Sequence, residues 1–482
     1  MCGILLGKDL SEERIFSISH RGTEHDIVKE NGVTMVHHRL PIQTIDGDTW
    51  SQPVQIGENR WMLFNGEIFN HGGDYSSDTE YLRNLFSSFD FSSLNSIQSI
   101  YEPSVVSWDG FWAIVLVDTK KKEIFAFTDP LGKKCLYINR EGEVCSEIKG
   151  LRDSSDELDI DFSFFGGVSK FGYLTTNQTP YNDIKKLEPN RFYRWNLQNP
   201  AKIESAGPYY NFLAEPLISQ DYEEKMDWLW ETMERSVRSR LLSKNYPTSL
   251  LLSGGLDSSI IAGLLLKIGA DVDFYSISNG EDEKYIRDCE NYWEVESKRL
   301  SYSMNGSKSL SDKELMKIYT KWNESPVDMG SVVPQYHLFD AIKKGSNTRI
   351  VISGDGADEL FGGYRRINQY DSQKSDVFHE LTYYHLPRLD KLSMAHTLEL
   401  RSPFLNHDII RFALSLPFEE RKNKKILKDT FKGLVPDSII ERSKLALKNE
   451  KIVTDQASYR MKIVKSYLDI LTNTVGENLY TG

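Results

Sequence analysis

The sequence predicts an α/β protein in two parts, an N-terminal layered α+β domain and a C-terminal domain built on a parallel sheet. The first observation is a series of short β-favouring runs separated by turn residues, such as WMLFNGEIF at 61–69 and FWAIVLVD at 111–118. The second is the order strand, glycine-rich turn, helix in SLLLSGGLDSSIIAGLLL at 249–266 and RIVISGDGADELFGGY at 349–364. That order is typical of a parallel sheet flanked by helices.

The length of the chain favours two domains. Its 482 residues are too many for one ordinary core. Residues 201–220 belong to a stretch with three prolines and no sustained periodicity, which indicates a linker. We therefore expect domains at 2–200 and 221–482.

Helices are predicted on both sides of this linker. DTEYLRNLFSSF at 78–89 has helical spacing of its apolar residues, so the N-terminal domain mixes a helix with its strands. A longer helix should follow the linker, with Asp221 or Ser219 as its cap. Its expected apolar stripe consists of Met226, Trp230, Met233, Val237 and Leu241.

Composition limits the classes of partner. Lys and Arg total 58 against 70 acidic residues, and the net charge of −12 argues against a nucleic-acid-binding protein. No apolar run approaches the roughly 20 residues of a membrane helix, and the N-terminus is too soon charged for a signal peptide. The four cysteines form no CxxC pair, so we expect thiols in a cytoplasmic protein with no nucleic-acid or membrane partner.

Cys2 occupies a position with chemical potential. Removal of Met1, which precedes a small residue, would make Cys2 the N-terminal residue. Its α-amine, with a pKa near ~8 in model peptides, could then act as general base for its own thiol. The alternative is that a cysteine at position two has no role.

Five segments give Cys2 a context. MCGI, HRGTEHD at 20–26, HHRLPI at 37–42, NGEIFN at 65–70 and SSDTE at 76–80 resemble, in this order, the class II glutamine amidotransferases. The resemblance covers roughly 2–195 and implies the αββα fold of the Ntn hydrolases. It also implies hydrolysis of glutamine. Thr128, in TDPLGKKCLYI, stands where the family usually has arginine.

The resemblance assigns roles to individual residues. Cys2 would be the nucleophile, and Asn65 with the N–H of Gly66 would form the oxyanion hole, since an oxyanion needs preorganised neutral donors. Arg39 would bind the α-carboxylate of glutamine through its fork of donors. Glu67 and Asp78 would bind the α-amino end. The full glutamine-binding set implied is Arg39, Leu40, Ile42, Asn65, Gly66, Glu67 and Asp78.

SGGLDSS at 253–259 predicts an anion site. Two glycines allow a tight turn that presents N–H groups, and the start of a helix adds positive potential. The segment lacks the GxxxxGK[ST] pattern of a Walker A loop. It resembles instead the pyrophosphate loop of the N-type ATP pyrophosphatases, which split ATP into AMP and pyrophosphate. The alternative is a glycine turn that is only structural.

SGDGADELFGGY at 353–364 resembles the synthetase domain of asparagine synthetases. By that resemblance Asp257 and Asp358 would hold Mg²⁺, which prefers oxygen ligands, and Asp355 would stand where several members have a glutamate implicated in handling ammonia. Without that resemblance, the acidic cluster of Asp355, Asp358 and Glu359 could be a solvated turn. The implied ATP-binding residues are Leu251, Ser253, Gly254, Gly255, Asp257, Ser258, Ser259, Ile277 and Gly354.

Two further segments complete the resemblance. LDKLSMAHTLELRSPFLNHDIIRFAL at 389–414 is similar to a family segment, with Asn406 replacing the usual aspartate. ERSKLALKNE at 441–450 aligns Lys444 with the catalytic lysine that would stabilise phosphate charge. The sequence departs from the family at 445–447 and at 279–300.

The resemblance implies glutamine-dependent synthesis of asparagine. Glutamine hydrolysis would supply ammonia, which would pass through an internal tunnel to a β-aspartyl-AMP made from aspartate and ATP. A homodimer is expected on the same ground. The departures leave open an amidotransferase acting on another carboxylate, such as a sugar acid, a natural product or a modified-base precursor. A β-lactam-forming synthetase, which lacks the cysteine, and a non-catalytic binding protein are the remaining possibilities.

Overall fold

The fold is taken from a computed structural model. It describes residues 2–43, 51–72, 75–94, 108–212, 221–243, 245–278, 282–301, 317–327, 329–364, 379–442, 461, 464–465, 467–468 and 471. Within these ranges no helix is long and apolar enough to cross a membrane.

Two antiparallel six-stranded sheets form the N-terminal half. The strands are β1 (Cys2–Gly7), β2 (Glu24–Glu30), β3 (Val33–Arg39), β4 (Val54–Gly57), β5 (Arg60–Ile68), β6 (Gly110–Asp118), β7 (Glu123–Thr128), β8 (Tyr137–Asn139), β9 (Val144–Cys145), β10 (Ile184–Lys186), β11 (Phe192–Asn196) and β12 (Asn199–Ala206). The first sheet has the order β10-β8-β9-β1-β3-β2, and the second has the order β12-β11-β7-β6-β5-β4.

The two sheets pack face to face with helices outside. Side chains alternate between the faces of a strand, so Ile4 and Leu6 enter the core shared with Leu63 and Val115 of the second sheet. Leu5 faces the other way, toward the side of α1 (Glu12–Ser17). The helix α2 (Asp78–Phe86) covers the outer face of the second sheet, and α3 (Phe162–Phe171) covers that of the first. These layers confirm the predicted αββα arrangement.

The C-terminal half contains a parallel sheet, as the strand–turn–helix order predicted. Its strands are β13 (Thr248–Leu251), β14 (Val272–Ser278), β15 (Lys298–Ser301), β16 (Ile350–Ile352) and β17 (Glu399–Arg401). They pair in parallel in the order β15-β14-β13-β16-β17.

Helices surround this sheet. The α-helices are α4 (Tyr222–Arg240), α5 (Leu256–Lys267), α6 (Asp282–Trp293), α7 (Met329–Gly345), α8 (Ala357–Leu360), α9 (Leu386–Met394), α10 (His407–Ser415), α11 (Phe418–Arg421), α12 (Lys425–Thr430) and α13 (Asp437–Glu441). Ile318–Asn323 and Leu381–His385 are π-helical, and Ser19–Arg21, Ile148–Leu151 and Pro403–Leu405 are 3₁₀ turns. Lys422–Lys424 is a turn with left-handed backbone at Asn423 and Lys424.

The helix predicted after the linker is present, whereas a strand occupies the beginning of the predicted linker. Asp221 caps α4, since its side chain accepts the N–H of Glu224. Met233 and Val237 of the predicted stripe are buried, and Leu229, which the pattern missed, is buried with them. β12 extends to residue 206, so the predicted linker begins within a strand. The sequence did not indicate this strand because Pro200 lies inside it and Pro208 follows it.

Candidate active site

Cys2 lies at the start of a central, wholly buried strand. β1 is flanked by β9 and β3, and Cys2 pairs in register with Arg39. Its N–H donates to Oδ1 of Asn65 at 2.9 Å, and its carbonyl oxygen accepts from Nε of Arg21 at 2.9 Å. The nucleophile predicted from sequence is therefore fixed on both sides of its backbone.

Asn65 and Gly66 lie on β5, beside Cys2. The Nδ2 of Asn65 is buried and has no hydrogen-bond partner in the part of the chain that the structure describes. A buried amide donor without a partner costs free energy, so it indicates a group that a ligand completes. A Cβ at Gly66 would lie 2.1 Å from the carbonyl oxygen of Phe111, which explains glycine at this position.

Three charged residues assigned to glutamine surround this point. The Nη1 of Arg39 lies 3.3 Å from Oε2 of Glu24, a half-exposed partner that a carboxylate ligand could replace. Burial, followed by the neighbouring charges of Glu399 and Asp78, raises the pKa of Glu67 well above its usual range. Burial also raises the pKa of Asp78, whose Oδ2 accepts the N–H of Ile68 at 3.1 Å. An ammonium group entering here would favour the ionised form of both carboxyls.

Leu40 and Ile42 are placed differently from the charged residues. Their side chains are buried in a small cluster with Ile350 of β16. Since the side chains pack against the C-terminal half, contact with a ligand is left to their backbone groups.

Two residues of β17 reach the glutamine-binding set, and the sequence assigned them no role. The Nη2 of Arg401 lies 3.8 Å from Oε1 of Glu67, and its Nε donates to Oε1 of Glu399 at 2.6 Å. Both side chains are fully buried. Their i, i+2 spacing places them on one face of the strand. The sequence feature that could have indicated them is the pair of opposite charges on either side of Leu400.

The predicted phosphate loop, at 253–259, lies at the carboxyl end of β13. Gly254 has φ +67°, and a Cβ there would lie 2.9 Å from the N–H nitrogen of Ile286. Gly255 precedes α5 without a side-chain cap, so the first N–H groups of a 12-residue helix point out of its N-terminus. Ser253 and Ser258 share a hydroxyl contact of 3.0 Å beside this turn.

Ser259 is not brought to the loop. Its side chain is fully buried, its Oγ lies 3.3 Å from Sγ of Cys289, and its N–H donates to the Gly255 carbonyl at 3.0 Å. One residue along a helix rotates the side chain by about 100°, which turns Ser259 into the core while Ser258 faces the loop. Leu251 and Ile277, predicted to contact the nucleoside, lie half-buried near the carboxyl ends of β13 and β14.

The second loop follows β16, the neighbour of β13. Sequence order reverses between these two strands, and such a switch point forms a ligand crevice in parallel sheets. Gly354 packs on the first loop, because a Cβ there would lie 2.8 Å from Cβ of Asp257. Asp355 accepts from Ser353 Oγ at 2.6 Å, and Asp358 lies in the first turn of α8.

Asp257 and Asp358 converge on one cation, Lys424. Its Nζ lies 2.6 Å from Oδ2 of Asp257 and 2.5 Å from Oδ1 of Asp358. Among the described residues no group of three or more His, Cys, Asp or Glu could hold a metal ion. The two carboxylates nevertheless fit a divalent cation, since they already share an ammonium group as a stand-in.

Sequence reasoning missed Lys424 and Arg442. The Nη1 of Arg442 donates to the carbonyl of Gly254 at 2.6 Å, its Nη2 pairs with Asp282, and its guanidinium stacks 4.0 Å over Tyr285. Arg442 stands two residues before the predicted catalytic Lys444, which lies outside the described residues.

A buried ion network joins the two halves near Cys2. Arg21 lies 2.6 Å from Oε1 of Glu147 and 2.9 Å from Oδ2 of Asp390. Asp390 also accepts from Nζ of Lys134 at 2.5 Å. Arg21 thus connects the carbonyl of Cys2 to a residue of α9 in the C-terminal half.

Comparison with known proteins gives a consistent result. Residues 1–209 match the family model described as a glutamine amidotransferase domain, and residues 229–383 and 372–474 match the model described as asparagine synthase. Glutamine-hydrolysing asparagine synthetases are similar along 97% of this chain and 87% of their own length, with 28% identity for the Cricetulus griseus protein and 26% for the Homo sapiens protein. An NMN synthetase structure from Francisella tularensis covers 53% of this chain and 87% of its own, at 15% identity and a TM-score of 0.27, too low to support an argument. The asparagine synthase match spans more than half of the residues, and the chain therefore belongs to the asparagine synthase family.

Proposed function

We propose that this protein is a glutamine-hydrolysing asparagine synthetase that converts aspartate, glutamine and ATP into asparagine, glutamate, AMP and pyrophosphate. The observation that carries the proposal is the unpartnered Nδ2 of Asn65 beside Cys2, in a chain whose C-terminal half matches the asparagine synthase family. A buried donor next to a thiol is suited to an amide substrate rather than to a structural role.

The first reaction is hydrolysis of glutamine at Cys2. Removal of Met1 exposes the α-amine of Cys2, which takes the thiol proton as the sulfur attacks the side-chain amide. The C–N bond then breaks, the α-amine returns the proton to the leaving ammonia, and water hydrolyses the resulting thioester to glutamate and the free thiol. The Oδ1 of Asn65 holds that nitrogen, at 2.9 Å from it, and leaves Nδ2 free to donate to the oxyanion with the N–H of Gly66. Arg39 exchanges Glu24 for the substrate carboxylate, while Glu67 and Asp78 accept the α-ammonium group.

The second reaction is adenylation of aspartate at the loops after β13 and β16. Ser253, Gly254, Gly255 and Ser258 present N–H and O–H groups to the pyrophosphate portion of ATP, and Leu251, Ile277 and Gly354 contact the nucleoside. Asp257 and Asp358 would hold Mg²⁺, which supplies charge neutralisation for the phosphates. Lys444 stabilises the transition state in this proposal, and Asp355 handles the incoming ammonia.

Ammonia must travel between the two centres without meeting water, which would also hydrolyse the acyl-adenylate. The described contacts include one strand, β17, that touches residues assigned to both centres. On β17, Arg401 faces Glu67 of the glutamine site, while its carbonyl accepts the N–H of Ser353 in the second loop at 3.0 Å. One strand therefore borders both sites.

We further propose a cytoplasmic homodimer with domains at 2–200 and 221–482. The support is the family resemblance for the dimer and the cysteine usage for the compartment. Size-exclusion chromatography with light scattering tests the dimer, and limited proteolysis tests the domain boundary.

Product analysis tests the reaction. The full chain is mixed with glutamine, aspartate, ATP and Mg²⁺, and asparagine, AMP and pyrophosphate are expected in equal amounts. Glutamate without asparagine would contradict the acceptor and indicate another carboxylate. Cys2→Ala should abolish use of glutamine and retain synthesis from added ammonia; full glutamine use by this variant would refute the glutaminase assignment.

A further inference from the structure

Lys424 occupies the point at which the two candidate metal ligands meet. Its ammonium group donates to both oxygens of Asp257, at 2.7 and 2.6 Å, and lies 2.5 Å from Asp358. The lysine side chain is 9% exposed, and the carboxylates are 17% and 15% exposed. This is a partly dehydrated arrangement, in which charge screening by water is weak.

The backbone around Lys424 is shaped to hold the side chain there. Asn423 and Lys424 are consecutive left-handed residues, with φ of +53° and +60°, a conformation that non-glycine residues rarely adopt. The N–H of Lys424 donates to the carbonyl of Phe361 at 2.9 Å. At Gly363 a Cβ would lie 1.8 Å from Oδ1 of Asp358 and 2.6 Å from Cε of Lys424, so glycine is required for this approach.

The charges explain what this placement does. Two carboxylates and one ammonium group leave a single net negative charge. A divalent cation arriving alone would have to enter against the positive charge of Lys424. A triphosphate brings several negative charges, and it gives the ammonium group new partners while the carboxylates turn to the metal.

We infer that Lys424 is an internal counterion that makes divalent-metal binding at Asp257 and Asp358 conditional on the nucleotide. The inference rests on the proposed ATP site. Metal and nucleotide then bind together, and the empty site keeps its two carboxylates paired. Lys424 is a positioning residue in this role, because its effect passes through the two aspartates.

The test measures metal binding directly. Mn²⁺ serves as probe, and free Mn²⁺ is quantified by electron paramagnetic resonance with the full-length protein, with and without α,β-methylene-ATP. For the wild type we expect binding at least roughly tenfold weaker without the analogue. Lys424→Met should bind Mn²⁺ without the analogue at least roughly tenfold more tightly than the wild type, since one positive charge beside the metal is removed.

Matched variants locate the effect. Lys425→Met changes the neighbouring lysine, which is half-exposed and paired with Asp429, and should behave as the wild type. Lys424→Arg keeps the charge and should keep the nucleotide dependence. Adding Asp358→Asn to Lys424→Met should remove the gained Mn²⁺ binding.

Two results would overturn the inference: equal Mn²⁺ affinity of the wild type with and without the analogue, or a folded Lys424→Met that gains no affinity. The wild-type comparison decides even where the variant does not fold. Calorimetric titration of the analogue with Mn²⁺ present distinguishes failure of the inference about Lys424 from failure of the proposed ATP site. An analogue that binds while Mn²⁺ binding is unconditional refutes only the role of Lys424, whereas no analogue binding refutes the proposed ATP site.

Discussion

Asn65→Ala should remove most of the glutaminase rate. The Nδ2 of Asn65 is buried without a partner among the described residues, so in the ground state the truncation breaks no hydrogen bond of that nitrogen. In the transition state it removes a preorganised donor, worth about 3–4 kcal/mol in comparable oxyanion holes. We therefore expect kcat for glutamine hydrolysis to fall about 10²–10³-fold, with KM changed far less.

Asn65→Asp separates the two functions of this side chain. An aspartate can still accept the N–H of Cys2, which Oδ1 of Asn65 accepts at 2.9 Å, but it places an oxygen where the donor was. Loss of rate in both variants would assign the effect to the donor. Loss in Asn65→Ala with normal activity in Asn65→Asp would assign it to anchoring of the Cys2 nitrogen.

The assay compares glutamate formation with ammonia-dependent amide synthesis by the same enzyme preparation. Ammonia bypasses Cys2, so the second rate should stay within about twofold of the wild type, which also shows that the variant is folded. A glutamine hydrolysis rate within about threefold of the wild type for Asn65→Ala would refute the oxyanion-hole assignment.

Three further predictions concern the frame of the site. Arg21→Met removes the cation shared by Glu147 and Asp390, which keep Lys149 and Lys134 as partners, and it removes the donor to the Cys2 carbonyl. The free energy of unfolding in urea should fall by about 3 kcal/mol. Arg140→Met, from an exposed pair with Asp159, should change it by less than about 1 kcal/mol, and equal effects would contradict the network. Burial lowers the pKa of His407 to about 3, so the unfolded chain binds more protons below pH 6.5 and stability falls as the pH falls. Between pH 6.5 and 5 this residue should contribute a loss of about 1.6 kcal/mol that His407→Phe lacks, and parallel pH profiles of the two proteins would disprove it. Gly363→Ala forces a Cβ against Asp358 and should weaken ATP binding roughly 10–100-fold in calorimetric titrations while sparing glutaminase activity. Gly345→Ala, at a position with open space around it, should leave ATP binding unchanged. Unchanged ATP affinity in Gly363→Ala would refute the packing argument.

The parts of the fold that could be predicted were those with a local signal. β5 and β6 read as strands from their apolar runs, and α4 from its spacing and the Asp221 cap. The two loops of the proposed ATP site could be predicted because their glycines and the helices that follow them are adjacent in sequence. The prediction that Ser259 lines the phosphate loop differs from the structure, because a sequence motif does not show in which direction each side chain points around a helix. The helix turns the Ser259 hydroxyl toward Cys289.

Residues that act across the chain had no such signal. Lys424 reaches Asp257 from 167 positions away, and Arg21 reaches Asp390 from 369 positions away. Nothing in the local sequence distinguishes the buried Lys424 from the more exposed Lys422 and Lys425, because its burial follows from two left-handed residues and the packing of a distant loop.

The buried charges between the two halves are best explained by the need to hold the halves in one relative position, rather than by a gain in the free energy of unfolding. Taking Arg21, Lys134, Glu147 and Asp390 out of water costs more than a surface pair returns, and apolar side chains of similar volume would stabilise such a boundary at least as well. An apolar boundary, however, tolerates small sliding of one half over the other. The guanidinium of Arg21 must satisfy the Cys2 carbonyl and two carboxylates at once, so a displacement of about 1 Å would break charge-assisted hydrogen bonds with narrow distance limits. The network thereby fixes the position of Cys2 relative to α9, as the proposed transfer of ammonia from one half to the other requires.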